Sequence, residues 1–174
     1  FDGVELHGAN GYLIDQFLNV ASNQRTDQWG GSVEGRIRFA LETAKAVSKA
    51  IGSDRVGIRV SPYGVFNGMT PDDDHDELYA TLSSALGELG LAYVHIVDHS
   101  SMGAPPVGDE IKKTIRDRFG GTIILSGGYD RERAAADLDA GKGELVAFGR
   151  PFISNPRLVS RLKRGAELRQ PDPS

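Results

Sequence analysis

The stretch "HGANGYL" at positions 7–13 holds His7, Asn10 and Tyr12, with Gly8 and Gly11 between them. An imidazole and a carboxamide can donate hydrogen bonds to an oxygen that gains negative charge. A phenol beside them can deliver a proton. The three together would make a substrate clamp with a proton donor. A polar turn closing a βα unit would use the same residue types, and the spacing alone leaves both readings open. Arg59 raises a second question, because it lies inside the Val/Ile-rich run "RVGIRVS". A guanidinium in such a strand needs partners. The electron-rich edge of a heterocyclic cofactor would be one, a structural ion pair another. A third group ends two later runs: Gly127 and Gly128 close "TIILSGG", and Gly149 and Arg150 close "LVAFGR". Glycines there let backbone N–H groups approach an anion. An arginine can grip phosphate oxygens in a bidentate fork. Two tight turns with a surface arginine would read the same way.

These groups need strands to hold them. Five β-rich runs recur, at 3–7, 55–61, 92–98, 122–128 and 145–150, mostly rich in Val, Ile and Leu as parallel strands covered on both faces would be. Helical stripes fall between and after them: Val33, Ile37, Ala40, Leu41, Ala44 and Val47; Leu78, Leu82, Ala85, Leu86 and Leu89; Ile111, Ile115 and Phe119; Ala134, Ala135 and Leu138; Leu158, Val159 and Leu162. Ser32 is placed to cap the first helix, although Gly35 stands where a capping box wants Glu. Thr70-Pro71 and Asn155-Pro156 read as caps followed by Pro at N1, and Gly90, Gly141 and Gly165 as helix ends.

The alternation predicts a parallel sheet with right-handed crossovers. A doubly wound open sheet and a piece of a (β/α)8 TIM-type barrel both fit. Both put their chemistry at the carboxyl ends of strands, where the first and third groups lie, with Arg59 within the second run. In barrels the loops after strands seven and eight commonly bind phosphate, so on that reading the chain carries about strands 4 to 8. The lack of a GxGxxG fingerprint weakens the dinucleotide-binding open sheet. A full barrel takes upwards of about 200 residues, so 174 residues are expected to form one domain, 1–174, that is the C-terminal portion of a barrel. The start on Phe1 inside a strand and the closing "QPDPS" fit that expectation.

A net charge of −4 argues against a nucleic-acid partner, and the absence of cysteine removes disulfides and thiolate metal sites. No apolar run reaches the length of a membrane span, so a cytoplasmic location is expected. The acidic run "DDDHDE" at 72–77 reads as a solvated helix start rather than a metal site. His95 alternates within a strand and reads as a satisfied core histidine. His99 ends that strand near the proposed site. Tyr63 and Phe66, after "RVSP", read as pocket lining or packing.

Taken together, "FDGVELHGANGYLIDQFLNVASNQRTDQWGGSVEGRIRF", "RVGIRVSP" and "LVAFGRPFISNP" resemble the old yellow enzyme family of FMN-dependent ene-reductases, in particular its N-ethylmaleimide and xenobiotic reductases. The resemblance spans nearly the whole chain and is weakest over 99–120. It implies a (β/α)8 barrel with FMN at the mouth and NADH or NADPH as reductant. The substrates it implies are activated alkenes, namely enones and maleimides, or nitro compounds. On the same basis, His7 and Asn10 match the pair that holds the substrate oxygen, and Tyr12 the proton donor. Arg59 matches the residue at the flavin pyrimidine edge, and Gly127, Gly128, Gly149 and Arg150 the phosphate cradle. Trp29 and Gly35 depart from the commoner Tyr and Asn at positions that look structural. Two alternatives stand beside this reading. One is a different phosphate-binding flavin barrel, which would want a Lys or Cys at a strand end; none is present. The other is a fragment that is inactive or binds FMN weakly, with open sheet edges free to self-associate.

Overall fold

A computed structural model describes residues 1–172; the last two residues of "QPDPS" lie outside the described residues. Five strands form one parallel sheet: β1 (Val4–Gly8), β2 (Val56–Val60), β3 (Tyr93–Val97), β4 (Thr122–Ser126) and β5 (Leu145–Ala147). They pair in chain order, β1-β2-β3-β4-β5. A doubly wound sheet reverses its strand order at a switch point. No reversal occurs here, and the sheet is a sector of a barrel wall. Among the described residues, β1 and β5 each pair along one edge.

The strands alternate more sharply than their Val/Ile content predicts. In register, Leu6, Ile58, Val94 and Ile123 face one side, joined by Val60, Ile96 and Leu125. That side packs on three helices: α2 (Val33–Ile51), α3 (His75–Glu88) and α4 (Asp109–Phe119). Ile37, Ala40, Leu82, Leu86 and Ile115 supply much of the buried face. Fully burying each of the Ile and Leu side chains stabilises by roughly 1.5–3 kcal/mol. The other side carries Glu5, His7, Arg59, His95 and Ser126. His95 is buried and satisfied at both ring nitrogens, by Glu5 and by the Ser126 hydroxyl, each at 2.9 Å. The histidine reads as expected, but the inner face mixes these polar groups with Val97, Ile124 and Leu145 rather than being uniformly aliphatic.

Helices α5 (Arg131–Asp139) and α7 (Leu158–Arg164) follow the expected stripes. Two short ones were not legible: α1 (Leu13–Leu18) after β1 and α6 (Arg150–Ser154) after β5. The Ser32 hydroxyl caps α2 by accepting from the Gly35 N–H at 3.2 Å. Gly35 is there for space: a Cβ would lie 2.1 Å from the Gly30 carbonyl oxygen. The other two caps are corrections. Helix α3 starts beyond Thr70-Pro71, with Asp74 at its N-cap. Asn155 caps nothing ahead of α7. Its buried amide donates to the Pro151 and Arg169 carbonyls and accepts the Arg169 N–H, pinning the segment after α7.

The acidic run is also more than a solvated turn. Arg36, 1 % exposed, is held by Asp72 at 2.7 Å and Asp74 at 3.4 Å, and it donates to the Leu18 carbonyl. His75 is buried and accepts the Tyr63 N–H at 2.9 Å. Among the described residues no His, Asp and Glu cluster could hold a metal, and no helix is long and apolar enough to cross a membrane.

Candidate active site

The loop leaving β1 is tied down at every residue that matters. Asn10 and Gly11 both take left-handed backbone angles, φ 62° and 70°. The Asn10 N–H donates to the Ser61 hydroxyl at 2.8 Å, and its carbonyl accepts from the Asn67 amide at 2.8 Å. The Gly11 N–H donates to Asp15 at 2.8 Å, and the Ser61 hydroxyl donates to the same carboxylate oxygen at 3.2 Å. Ser61 follows β2 and Asp15 lies in α1, so residues beyond β2 and in α1 together fix the turn. The turn sets the His7 and Tyr12 rings 5.2 Å apart at 52°. Tyr12 is 57 % exposed. Burial and the Arg59 charge lower the proton affinity of His7, which keeps its ring neutral near pH 7.

Asp15 is the buried anchor of this loop, and it makes the loop pH-sensitive. Burial pushes its carboxyl up from the ordinary 3.8 to about 6, offset in part by the hydrogen bonds from Gly11 and Ser61. The folded state therefore binds that proton more tightly than the unfolded chain does. This contribution to stability is complete below about pH 4 and is lost as pH rises through about 6. The expected result is that Asp15→Asn gains stability relative to the parent as pH rises from about 4 to 7. Urea unfolding at several pH values reads this directly. Parallel stability curves would mean that Asp15 titrates at its ordinary value.

The second group meets in a cavity of about 750 Å³ at the carboxyl ends of β2 to β5. Arg59, Gly127, Gly128, Gly149 and Arg150 all line it, as does His99. The buried Arg59 Nε has no hydrogen-bond partner. Burying such a donor unpaired costs about 1–3 kcal/mol or more, so an acceptor in the cavity fits it. Arg150 opens α6, is exposed, and donates to the Ser101 hydroxyl at 3.2 Å. An unpartnered donor together with glycines and an arginine in one cavity suits an anion that carries a planar, acceptor-edged ring.

His7, Asn10 and Tyr12 do not line this cavity; they sit beside it. His99 joins the two groups, lining the cavity while its Nε2 lies 2.6 Å from the Asn10 Oδ1. Tyr63 bonds Asp76 instead of reaching the site, whereas Phe66 packs edge-on to His99 at 4.6 Å. Three residues escaped sequence reasoning. Asp15 lies outside every expected stripe, Ser61 closes the expected run 55–61 with no sign of a partner, and Arg169, which lines the cavity from beyond α7, lies in a stretch without periodicity.

A model of the NADH:flavin oxidoreductase / NADH oxidase family matches residues 1–169. The chain is 46% identical over 175 residues to a chanoclavine-I aldehyde reductase of Penicillium roqueforti, covering 95% of this chain and 46% of the relative. It is 42% identical over 174 residues to a "probable flavin mononucleotide-dependent alkene reductase" of Leishmania infantum, covering 100% of this chain and 47% of the relative. Among solved structures, morphinone reductase superposes with a TM-score of 0.95 at 44% identity, over 99% of this chain and 46% of that one. A structure of that enzyme in complex with tetrahydroNAD superposes with a TM-score of 0.92. The old yellow enzyme homologue of Zymomonas mobilis gives 0.89 at 35% identity, over 98% of this chain and 48% of that one. These structures put the five-stranded sector in a TIM-barrel fold, and the chain spans about half the length of the curated relatives it matches. With its strand order, its cavity and these likenesses in agreement, the chain belongs to the NADH:flavin oxidoreductase / NADH oxidase family, among the homologues of old yellow enzyme.

Proposed function

We propose that this chain supplies the FMN cradle and the substrate clamp of an NADH- or NADPH-dependent ene-reductase. The observation that carries the proposal is the unpartnered, buried Arg59 Nε in a cavity that also holds Gly127, Gly128, Gly149 and Arg150, with His7, Asn10 and Tyr12 at its edge. FMN, when bound, supplies hydride transfer from the nicotinamide to an electron-poor alkene. Arg59 donates its free N–H to the acceptor edge of the ring. The backbone N–H groups at Gly127, Gly128 and Gly149 and the Arg150 guanidinium hold the phosphate. His7 and Asn10 donate to the carbonyl or nitro oxygen that activates the alkene, where charge grows in the transition state. Tyr12 gives its hydroxyl proton to the carbon next to the activating group. One hydride and one proton then saturate the double bond. Enones, maleimides and nitro compounds share the required oxygen acceptor.

The test is an FMN titration of the polypeptide carrying this chain together with the rest of its barrel, paired with enone reduction. Arg59→Met is expected to raise the FMN Kd by about 10–100-fold, the loss of a hydrogen bond to a polar or charged partner. Unchanged affinity would remove Arg59 from the cofactor site. A second reading concerns the chain alone. Its β1 and β5 edges pair on one side each, and unpaired edges invite association. We propose that in isolation it binds FMN weakly; a tight, yellow, monomeric preparation would overturn that.

A further inference from the structure

We infer that His99 is a positioning residue for the proposed reaction, fixing the Asn10 carboxamide so that its NH2 group rather than its oxygen faces the substrate. This rests on the reading of Asn10 as part of the clamp. His99 lies 89 positions away in sequence, just beyond β3, and its Nε2 sits 2.6 Å from the Asn10 Oδ1. An amide oxygen only accepts, so the His99 Nε2 must carry the hydrogen. A neutral imidazole has a single N–H, which this contact uses. Burial, followed by the positive charges of Arg59 and Arg150, lowers the proton affinity of His99, with Asp98 opposing in part.

The contacts around the pair hold the Asn10 backbone and the His99 ring in place, and the Oδ1 contact to His99 sets the amide. The Asn10 N–H is engaged by Ser61 and its carbonyl by Asn67, so the backbone at φ 62° is held from both sides. The His99 ring is held edge-on against Phe66 at 4.6 Å and 64°. With Oδ1 occupied by His99, Nδ2 is the polar atom of Asn10 that these contacts leave free. A flipped amide would aim its oxygen at the developing negative charge and repel it. His99 thus decides whether Asn10 attracts or repels the transition state. It touches neither reacting atom, and it links the cavity wall to the β1 loop across β2.

The test uses the FMN-loaded polypeptide that carries this chain with the rest of its barrel. Nitrogen NMR of labelled histidine should show His99 protonated on Nε2 at neutral pH, with its signal shifted in Asn10→Ala. In steady-state kinetics with an enone at saturating FMN, His99→Ala should lower kcat/KM about tenfold. His99→Gln, which can still donate to Oδ1, should recover most of that loss. In an Asn10→Ala background, His99→Ala should change nothing further, because the two act as one unit. Additive losses, or a fully active His99→Ala beside a crippled Asn10→Ala, would overturn the positioning role. A His99 protonated on Nδ1 would overturn it without touching the clamp. If Asn10→Ala itself kept full activity, the clamp reading would fall and this inference with it, even with the NMR signature intact.

Discussion

Tyr12→Phe is expected to lower enone turnover by about 10²–10⁴-fold, the usual contribution of a positioned general acid. The substitution removes one oxygen and little else. The Tyr12 backbone stays in place, because its carbonyl accepts the Gln16 N–H at 2.9 Å and its own N–H reaches the Ala9 carbonyl at 3.2 Å. The ring keeps its contact with His7, and with 57 % of the residue exposed, no core packing depends on the hydroxyl. The loss should therefore fall on one half-reaction. Reduction of bound FMN by the nicotinamide needs no proton from Tyr12 and should keep its rate. Reoxidation by the alkene should slow, and stopped-flow absorbance separates the two. A Tyr12→Phe protein that reoxidises within about threefold of the parent would move the proton donor elsewhere, to solvent or to His7. Slowing of both half-reactions alike would point to a disturbed loop. In that case the Asp15 and Ser61 anchors, not the phenol, would be the residues to examine.

The residues that do the proposed chemistry were legible because they break local rules. An arginine in an aliphatic strand, three polar groups around two glycines, and paired glycines at strand ends are each hard to explain by packing alone. The strands and long helices were legible for the opposite reason, since their period follows from one buried face. What stayed hidden depends on contacts between distant segments. Nothing in the sequence marked Arg36, and the acidic run 72–77 read as a solvated helix start, because neither reveals that the fold brings them within 2.7 Å. The short helices α1 and α6 lack the length to show a period. Asp15 carries no motif, and His99 read only as a residue near the site; their partners Ser61 and Asn10 follow β2 and β1, and the register of β1, β2 and β3 brings them together. The glycines are the instructive case. Sequence reasoning gave Gly127 and Gly149 the same task, and the structure separates them.

Gly127→Ala is expected to destabilise the protein by about 2–6 kcal/mol, from backbone strain and overpacking together. Its φ is +119°, a region closed to residues with a Cβ. A Cβ built there would lie 1.8 Å from the Asp98 carbonyl oxygen, which is backbone and cannot swing aside. The Asp98 N–H already donates to the Ser126 carbonyl at 3.0 Å, so the two segments are stitched together at this crossing. Forcing them apart would displace His99, the next residue, and through it Asn10. Gly149 is different. Its φ is −95°, and a Cβ there meets nothing within 4 Å. Gly149→Ala should change stability by no more than about 0.5 kcal/mol. Gly149 lines the cavity, so on the proposed reading the added methyl group should instead weaken FMN binding by crowding the phosphate. Thermal unfolding and FMN titration of both variants give a crossed result on this reading: Gly127→Ala loses stability, and Gly149→Ala loses affinity. If Gly149→Ala bound FMN as tightly as the parent, the phosphate would not rest against that backbone. Arg150 would then hold it from the side chain alone, and Gly149 would be no more than the residue that lets α6 begin.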